Sequence, residues 1–270
     1  MVRRAKDTLR RMLPLRDKNP TARRAYVTLV IIGANVAAFL LWQPTFDSGE
    51  EGQLRQQTFF WCQAAIPLEV AEGAPLAAVG PAGIRSIADT YNMTQAEAVA
   101  FQEYLAGECP EKSWLGSVFV AMFLHGGWLH IAGNMLFLWV FGNNIEDRMG
   151  RAVFPIFYIL GGLAAFGLQF ALDTRSAVPT LGASGAISAV LGAYLVLFPK
   201  ARVLTLVFRV ILELPALVVL GGWFVLQIFS GVGQLGTQVN GGVAYWAHIG
   251  GFAFGVLVAL PMRRAARPAG

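Results

Sequence analysis

Long apolar stretches separated by charged segments dominate the chain. A membrane-spanning helix needs about 20 consecutive apolar residues, and six stretches meet or approach that length. They are Ala25–Trp42, Trp128–Ile145, Ala152–Leu172, Ser184–Phe198, Leu212–Ser230 and Val243–Met262. The pattern predicts an all-α, polytopic membrane protein built as a bundle of six transmembrane helices. The first stretch lacks a signal-peptide cleavage pattern and is long enough to be retained as a span.

Two further apolar stretches are too short to cross a membrane. Val203–Phe208 is separated from the fifth span by Arg209, and we interpret it as a connection lying on the cytoplasmic surface. Trp114–Leu124 has 11 residues and directly precedes the second span. We expect it to lie in the outer interface or to dip into it.

The composition supports a membrane protein. Of the 270 residues, 56% are hydrophobic and 14% are charged, against about 25% charged in an ordinary soluble domain. A water-soluble enzyme of this size could not bury so much apolar surface. The composition also excludes a disordered chain and a disulfide-dense secreted scaffold.

The net charge of +5 comes from an uneven distribution of charge along the chain. Most of the 21 lysine and arginine residues lie in the segments that an inside N-terminus would place on the inner side, and acidic residues favour the outer side. By the positive-inside rule this predicts that both ends are cytoplasmic, in what we expect to be a bacterial inner (plasma) membrane. Nucleic-acid binding is not needed to explain the charge.

The spans divide the chain into five regions. They are a basic cytoplasmic N-terminus (1–24), the first span (25–42), a long outer loop with short helices (43–127), a core of five spans (128–262) and a cytoplasmic tail (263–270). In the outer loop, Thr94 and Glu97 have capping-box spacing, which predicts a helix over Gln95–Ala106. Cys62 and Cys109 lie in the same loop and could form a disulfide on an oxidising face, although two free thiols are the alternative.

Polar residues lie at one depth in three of the predicted spans. Polar groups inside a membrane are costly and therefore suggest function. The three histidines, His125, His130 and His248, lie at the outer ends of spans 2 and 6, and Ser184 begins span 4. Asn134 shares a helix face with His130 because it follows four residues later. All of these groups fall within about two helical turns of the same depth.

The fourth span is too short to reach both membrane surfaces, because 15 residues extend about 22 Å against an apolar core of about 30 Å. Ser184 is therefore expected at a submerged helix N-terminus, where free N–H groups could stabilise an oxyanion. His248 is the available base for this hydroxyl, and no acidic residue in the spans could complete a triad. The sequence predicts a Ser–His dyad without a cofactor or metal ion.

Other interpretations compete with this dyad. The spans lack a pair of aspartates and a His-Glu-x-x-His motif, which disfavours aspartyl and zinc proteases. A small transporter or channel would also have a wet recess, although the spans lack charged pathway residues and inverted repeats. Gly182–Gly185 could be simple helix packing, and Gly251 and Gly255 are best explained as close packing of span 6 against span 4.

Three motifs resemble those of the rhomboid family of intramembrane serine proteases. They are His125-Gly-Gly-Trp-Leu-His130-Ile-Ala-Gly-Asn134, Gly182-Ala183-Ser184-Gly185 and Ala247-His248-Ile-Gly-Gly251-Phe-Ala-Phe-Gly255. Gly142, Glu146 and Gly150 also match a family pattern. The resemblance covers roughly Trp114–Met262 and predicts a rhomboid-like bundle whose catalytic core is 128–262.

The resemblance implies a serine endopeptidase that cuts transmembrane segments of other proteins in the lipid bilayer, without nucleic acid as a partner. It implies Ser184 as nucleophile, His248 as base, and His130, Asn134 and the Ser184 N–H as oxyanion donors. Gly182 would shape the turn and His125 would support the site. Span 5 would form a lateral entrance, and the loop before span 6 would cover the site.

The sequence departs from the family pattern at one position near the dyad. Some members have a tyrosine four residues after the serine that stacks on the histidine, and here this position is Ser188. Another side chain, such as an aromatic residue of span 6 or span 2, is therefore expected to orient His248. A non-catalytic rhomboid-like protein that binds or escorts client helices is the alternative function.

Overall fold

The computed structural model describes residues 12–207, 209–234 and 244–265. Within these ranges the chain forms eleven α-helices and three β-strands. The helices are α1 (Tyr26–Ala37), α2 (Gly49–Gln63), α3 (Pro67–Glu72), α4 (Pro81–Tyr91), α5 (Gln95–Glu108), α6 (Trp114–Val120), α7 (Trp128–Met149), α8 (Val153–Leu172), α9 (Ser184–Leu197), α10 (Ala216–Gln234) and α11 (Tyr245–Ala265). The strands are β1 (Met12–Asp17), β2 (Arg202–Val207) and β3 (Val210–Pro215). The prediction of a helical membrane protein is confirmed.

The described helices support three to four membrane spans by length and composition. Among the described residues, α8, α10 and α11 are long and apolar enough to cross a membrane. A fourth span results if α6, its following turn and α7, which bend by 76°, are counted together. α9 and the Tyr26–Trp42 helix are apolar but shorter. The count of six is therefore not confirmed, because the polar groups of α7 and the short length of α9 weaken their apolar signal.

The stretch interpreted as a surface connection is a β-strand. β2 lies in the centre of a three-stranded antiparallel sheet in the order β1–β2–β3. The predicted start of the fifth span at Leu212 is also wrong, because Val210–Pro215 forms β3 and the helix begins at Ala216. The sheet follows the C-terminus of α9 and so lies at the end of this helix opposite Ser184.

α9 is the central helix of the bundle. Its residues from Gly185 to Tyr194 are all buried, and it contacts α7, α8 and α11. The backbones of α9 and α11 approach closely, because a Cβ added at Gly251 or Gly255 would overlap a backbone oxygen of α9. The interpretation of these two glycines as packing positions therefore agrees with the structure, and it explains how α11 lies beside Ser184.

Gly255→Ala is expected to destabilise the bundle by about 1–3 kcal/mol, the typical cost of overpacking. The added methyl group would overlap the carbonyl oxygen of Ala189, and backbone cannot move aside as a flexible side chain can. Thermal unfolding in detergent micelles measures the effect. Gly167→Ala on α8 is the matched control, since nothing lies within 4 Å of its added Cβ. Equal melting temperatures for the two variants would contradict the packing assignment.

α1 is attached to the bundle through a carboxylate of α7. Glu146 accepts hydrogen bonds from the backbone N–H groups of Val27 (3.1 Å) and Thr28 (2.7 Å), and from the Thr28 hydroxyl (2.7 Å). These N–H groups belong to the first turn of α1, where a negative charge is favourable. This contact accounts for Glu146 at the end of α7.

The predicted outer loop contains a small helical unit, which we call the insert (α2 to α5, Gly49–Glu108). Ile66, Leu76, Ile87 and Leu105 belong to its hydrophobic core. The capping box at Thr94 is present, and the helix it begins extends to Glu108. A disulfide joins Cys62 at the end of α2 to Cys109 after α5. The insert therefore has its own core and its own covalent link.

A buried ion pair holds the end of the insert. Lys112 Nζ lies 2.7 Å from Glu69 Oε2, with 3% and 0% of the side chains exposed. Lys112 also donates to the Trp61 carbonyl (2.6 Å), and Glu69 accepts from the Leu76 N–H (2.7 Å). Burial raises the pKa of Glu69 and lowers that of Lys112, and each partner opposes the shift of the other.

Candidate active site

Ser184 and His248 are in direct contact. His248 Nε2 lies 2.8 Å from Ser184 Oγ, which is hydrogen-bond distance. Ser184 is the first residue of α9, and His248 is in the first turn of α11. The close packing of these two helices brings the hydroxyl and the imidazole together across 64 residues of sequence. The structure therefore joins the two residues that the sequence analysis selected as a dyad.

The segment before Ser184 is fixed by backbone contacts on two sides. Thr180 N–H donates to the Ala65 carbonyl of the α2–α3 connection (2.7 Å), and Gly182 N–H donates to Ala121 (2.8 Å). Gly182 has φ +120°, a conformation that L side chains rarely adopt. The turn thus presents Ser184 at the start of α9, and the insert holds part of that turn.

The N-terminus of α9 has donors that its own helix does not use. The helix carries no side-chain cap, and the hydrogen bond from Ile187 N–H to the Ala183 carbonyl (2.9 Å) starts its ladder. The preceding N–H groups, including that of Ser184, lie at the positive end of the helix dipole. This environment favours negative charge beside the Ser184 side chain.

His130 is placed to donate toward the same space. Gly126 N–H donates to His130 Nδ1 (3.2 Å), so a neutral imidazole carries its proton on Nε2. A Cβ built on Gly182 would lie 3.0 Å from this Nε2 and 3.5 Å from Ser184 Oγ. The side-chain space at Gly182 is therefore bordered by the hydroxyl and by an N–H donor, and any larger residue would fill it.

Asn134 supplies a further donor one turn after His130. The residue is 8% exposed, and Nδ2 has no hydrogen-bond partner among the described residues. Buried polar atoms are nearly always paired, so a buried donor without a partner calls for an explanation, and a role in a functional site is one. The two predicted oxyanion side chains share one face of α7, as their spacing indicated.

His125 packs against His130. Its side chain is fully buried, and its ring centroid is 5.1 Å from that of His130. Gln43 holds its backbone with two hydrogen bonds, accepting from the His125 N–H (3.0 Å) and donating to its carbonyl (2.9 Å). The position agrees with a supporting role. Gln43 was not singled out from the sequence.

The residues around His248 differ from those expected. Ser188 Oγ donates to the Ser184 carbonyl (2.6 Å) within α9. Among the described residues, the aromatic ring beside His248 belongs to Trp223 of α10, at 5.8 Å between centroids, whereas an aromatic residue of span 6 or span 2 was expected. Gln227 Oε1 lies 2.8 Å from His248 Nδ1. Neither residue was predicted from the sequence, although a lone glutamine in an apolar span was a usable signal.

Two other predictions concern metal binding and the cover of the site. In the part of the chain that the structure describes, no group of three or more His, Cys, Asp or Glu side chains could hold a metal ion. A metal-free mechanism stays a prediction. The predicted cover, the loop before the last span, falls on residues 235–243 and lies outside the described residues.

Comparisons with known proteins find relatives in several eukaryotes. The chain is 34% identical over 146 residues to Rhomboid protein 1, mitochondrial, of Saccharomyces cerevisiae, a match covering 52% of this chain and 40% of the relative. It is 32% identical over 139 residues to Presenilin-associated rhomboid-like protein A, mitochondrial, of Danio rerio, covering 51% and 35%. The human Presenilin-associated rhomboid-like protein, mitochondrial, is 27% identical over 161 residues, covering 57% and 39%.

These relatives correct the predicted location. All three are named as mitochondrial proteins, which contradicts the expectation of a bacterial inner membrane. The charge asymmetry indicates only which ends of the spans share a side, and it cannot identify the membrane.

The chain also spans about two fifths or less of the length of these relatives.

A sequence model of the Rhomboid domain matches residues 112–265. The match includes all three motifs of the site and the helices α6 to α11. It leaves out the insert, whose contacts with the Ser184 turn are described above. Because the matched region covers more than half of the 270 residues, the chain belongs to the rhomboid family.

Proposed function

We propose that the protein is an intramembrane serine endopeptidase that hydrolyses a peptide bond within a transmembrane segment of another membrane protein. The observation that supports this most directly is the 2.8 Å contact between Ser184 Oγ and His248 Nε2. A serine hydroxyl is a weak nucleophile, and a base in hydrogen-bond contact is the usual way to activate it. Membership of the rhomboid family agrees with this function.

The proposed reaction proceeds through an acyl-enzyme. Ser184 Oγ attacks the carbonyl carbon of the scissile bond while its proton moves to His248 Nε2. The carbonyl oxygen becomes an oxyanion, which His130 Nε2–H, Asn134 Nδ2 and the Ser184 N–H stabilise. When the C–N bond breaks, His248 returns the proton to the leaving amine. A water molecule then attacks the ester carbon, His248 takes its proton, and Ser184 Oγ leaves and is reprotonated.

The arrangement of the outer residues suits a membrane-embedded substrate. Helical peptide bonds are hydrogen-bonded internally, so a transmembrane segment must unwind before Ser184 can reach a carbonyl. Because Gly182 has no side chain, the space bordered by Ser184 Oγ and His130 Nε2 stays open. The outer accessory segment would be residues 43–127, and the catalytic core would be residues 128–262. The lateral entrance would lie at α10.

A serine-reactive fluorophosphonate probe tests the proposal without knowledge of the substrate. The purified protein in detergent is expected to become covalently labelled at Ser184, because only an activated hydroxyl reacts at a useful rate. Ser184→Ala should remove the label while thermal unfolding stays unchanged. Mass spectrometry of the labelled peptide identifies the modified residue. A folded wild-type protein that is not labelled would favour the non-catalytic, client-binding alternative.

A further inference from the structure

The imidazole of His248 has a second hydrogen-bond partner on α10. Gln227 Oε1 lies 2.8 Å from His248 Nδ1, on the side of the ring away from Ser184. Trp223 precedes Gln227 by four residues and so shares its helix face, with its ring centroid 5.8 Å from that of His248. Two side chains of one helix therefore contact the proposed base.

The packing of α10 on α11 fixes the position of this pair. Phe224 stacks on Phe252 of α11 at 4.1 Å between centroids, with an interplanar angle of 14°. Trp223 also lies against Phe252, at 6.3 Å. Because Phe252 follows His248 by four residues, these contacts hold Gln227 at the level of the imidazole.

The chemistry of the amide oxygen selects one tautomer of His248. A carbonyl oxygen can only accept a hydrogen bond, so the contact requires a proton on Nδ1. The neutral ring then has its lone pair on Nε2, facing Ser184 Oγ. In the opposite tautomer, Nε2 would carry the proton and could not accept the serine proton. Ser184 Oγ–H then donates to His248 Nε2, and His248 Nδ1–H donates to Gln227 Oε1.

We propose that Gln227 is a positioning residue that holds His248 in the tautomer and ring orientation needed for proton transfer from Ser184. The inference rests on the function proposed above. Trp223 limits rotation of the ring, and Gln227 fixes its second nitrogen. Ser188, at the position where some family members stack a tyrosine, bonds to the Ser184 carbonyl instead, so α10 takes over the orientation of the base.

The effect of Gln227 should be largest in the transition state. When His248 takes the serine proton, its ring becomes cationic and the Nδ1–H bond to Gln227 becomes charge-assisted and stronger. A cationic ring is costly in this buried, apolar environment, and the Gln227 oxygen stabilises it without introducing a carboxylate into the membrane.

Saturation kinetics of fluorophosphonate labelling test the proposal. Gln227→Met keeps the length of the side chain but removes the acceptor, so the maximal labelling rate should fall about 10–100-fold. The concentration giving half the maximal rate should stay within about twofold, since probe binding does not use Gln227. Gln227→Glu retains an acceptor oxygen and should recover most of the lost rate. Ile228→Met, a change on the lipid-facing side of the same helix, should behave as wild type.

A spectroscopic measurement separates positioning from a general loss of packing. The chain has three histidines, so ¹⁵N-histidine labelling gives three imidazoles, and His248→Ala identifies the signal of His248. The wild-type ring should show the Nδ1–H tautomer at neutral pH, and Gln227→Met should give a mixture of tautomers.

The possible outcomes distinguish this proposal from the proposed function. A wild-type labelling rate in Gln227→Met, or an equal loss in Gln227→Glu, would overturn the role of Gln227 even if Ser184→Ala abolishes labelling. An unchanged tautomer in Gln227→Met would do the same. If the wild-type protein is not labelled at Ser184, the function itself fails, and Gln227 has no base to position.

Discussion

His248→Ala is expected to lower the rate of peptide cleavage by about 10⁴–10⁶-fold, a loss close to that of Ser184→Ala. The imidazole is 2.8 Å from the hydroxyl, and among the described residues it is the side chain in hydrogen-bond contact with Ser184 Oγ that can accept the serine proton. Because no carboxylate is part of the proposed dyad, proton transfer depends on Ser184 and His248 together. Cleavage of a transmembrane reporter in proteoliposomes measures the effect.

The double variant provides the internal control for this expectation. Residues that act as one unit give non-additive losses, so Ser184→Ala/His248→Ala should cleave no more slowly than Ser184→Ala alone. Thermal unfolding and the intact Cys62–Cys109 disulfide report whether each variant is folded. Cleavage by folded His248→Ala within about tenfold of wild type would show that another group is the base.

The sequence contains enough information to select Ser184 and His248. Both are polar residues in apolar spans, and the helical rise places them at the same depth. Gly251 and Gly255 add the reason for their contact, since small residues allow α9 and α11 to approach. The distance between the two atoms follows from this packing, which is why the pair could be predicted without a structure.

Gln227 could not be assigned in the same way. The sequence shows that Gln227 is a polar residue in an apolar helix. However, the rotation of α10 about its own axis decides which residue the Gln227 side chain contacts. That rotation depends on the stacking of Phe224 on Phe252, a contact that no spacing rule supplies. Residues that act on a site from a helix with no motif of its own are therefore the ones that pattern analysis misses.

The sheet was missed for a different reason. Short apolar runs cannot be assigned to strand or helix by periodicity alone, and β2 was interpreted as a surface connection. Its partner β1 lies in the basic N-terminal region, far away in sequence, with Met12 opposite Val207. Pairing over such a separation leaves no local signal in either segment.

Lys112→Met is expected to destabilise the insert by about 3–5 kcal/mol, the cost of leaving one member of a buried ion pair unpaired. Lys112 and Glu69 are almost completely buried and 2.7 Å apart. Hydrogen exchange of α2 to α5 measures the local loss of stability. Lys18→Met is the matched control, because its partner is Glu213 and both side chains are about half exposed. An exposed pair contributes about 0–1 kcal/mol.

The same substitution should make stability depend on pH in a defined direction. Burial already raises the pKa of Glu69, and Lys112 opposes that rise, so removing the ammonium should raise the pKa further. A group whose folded pKa exceeds its unfolded value stabilises the fold below the unfolded pKa and loses that contribution as pH rises. Lys112→Met should therefore be less stable at pH 8 than at pH 5, relative to wild type.

A second substitution identifies the carboxylate as the cause. Glu69→Gln removes the charge and keeps an oxygen that can accept from the Leu76 N–H. The double variant Glu69→Gln/Lys112→Met should therefore recover much of the lost stability and show no such pH dependence.

The insert also holds the turn before Ser184 through the Thr180–Ala65 contact. Labelling of Ser184 should consequently fall and recover in parallel with the stability of the insert. If Lys112→Met loosens the insert but Ser184 reacts at the wild-type rate, the insert does not position the turn.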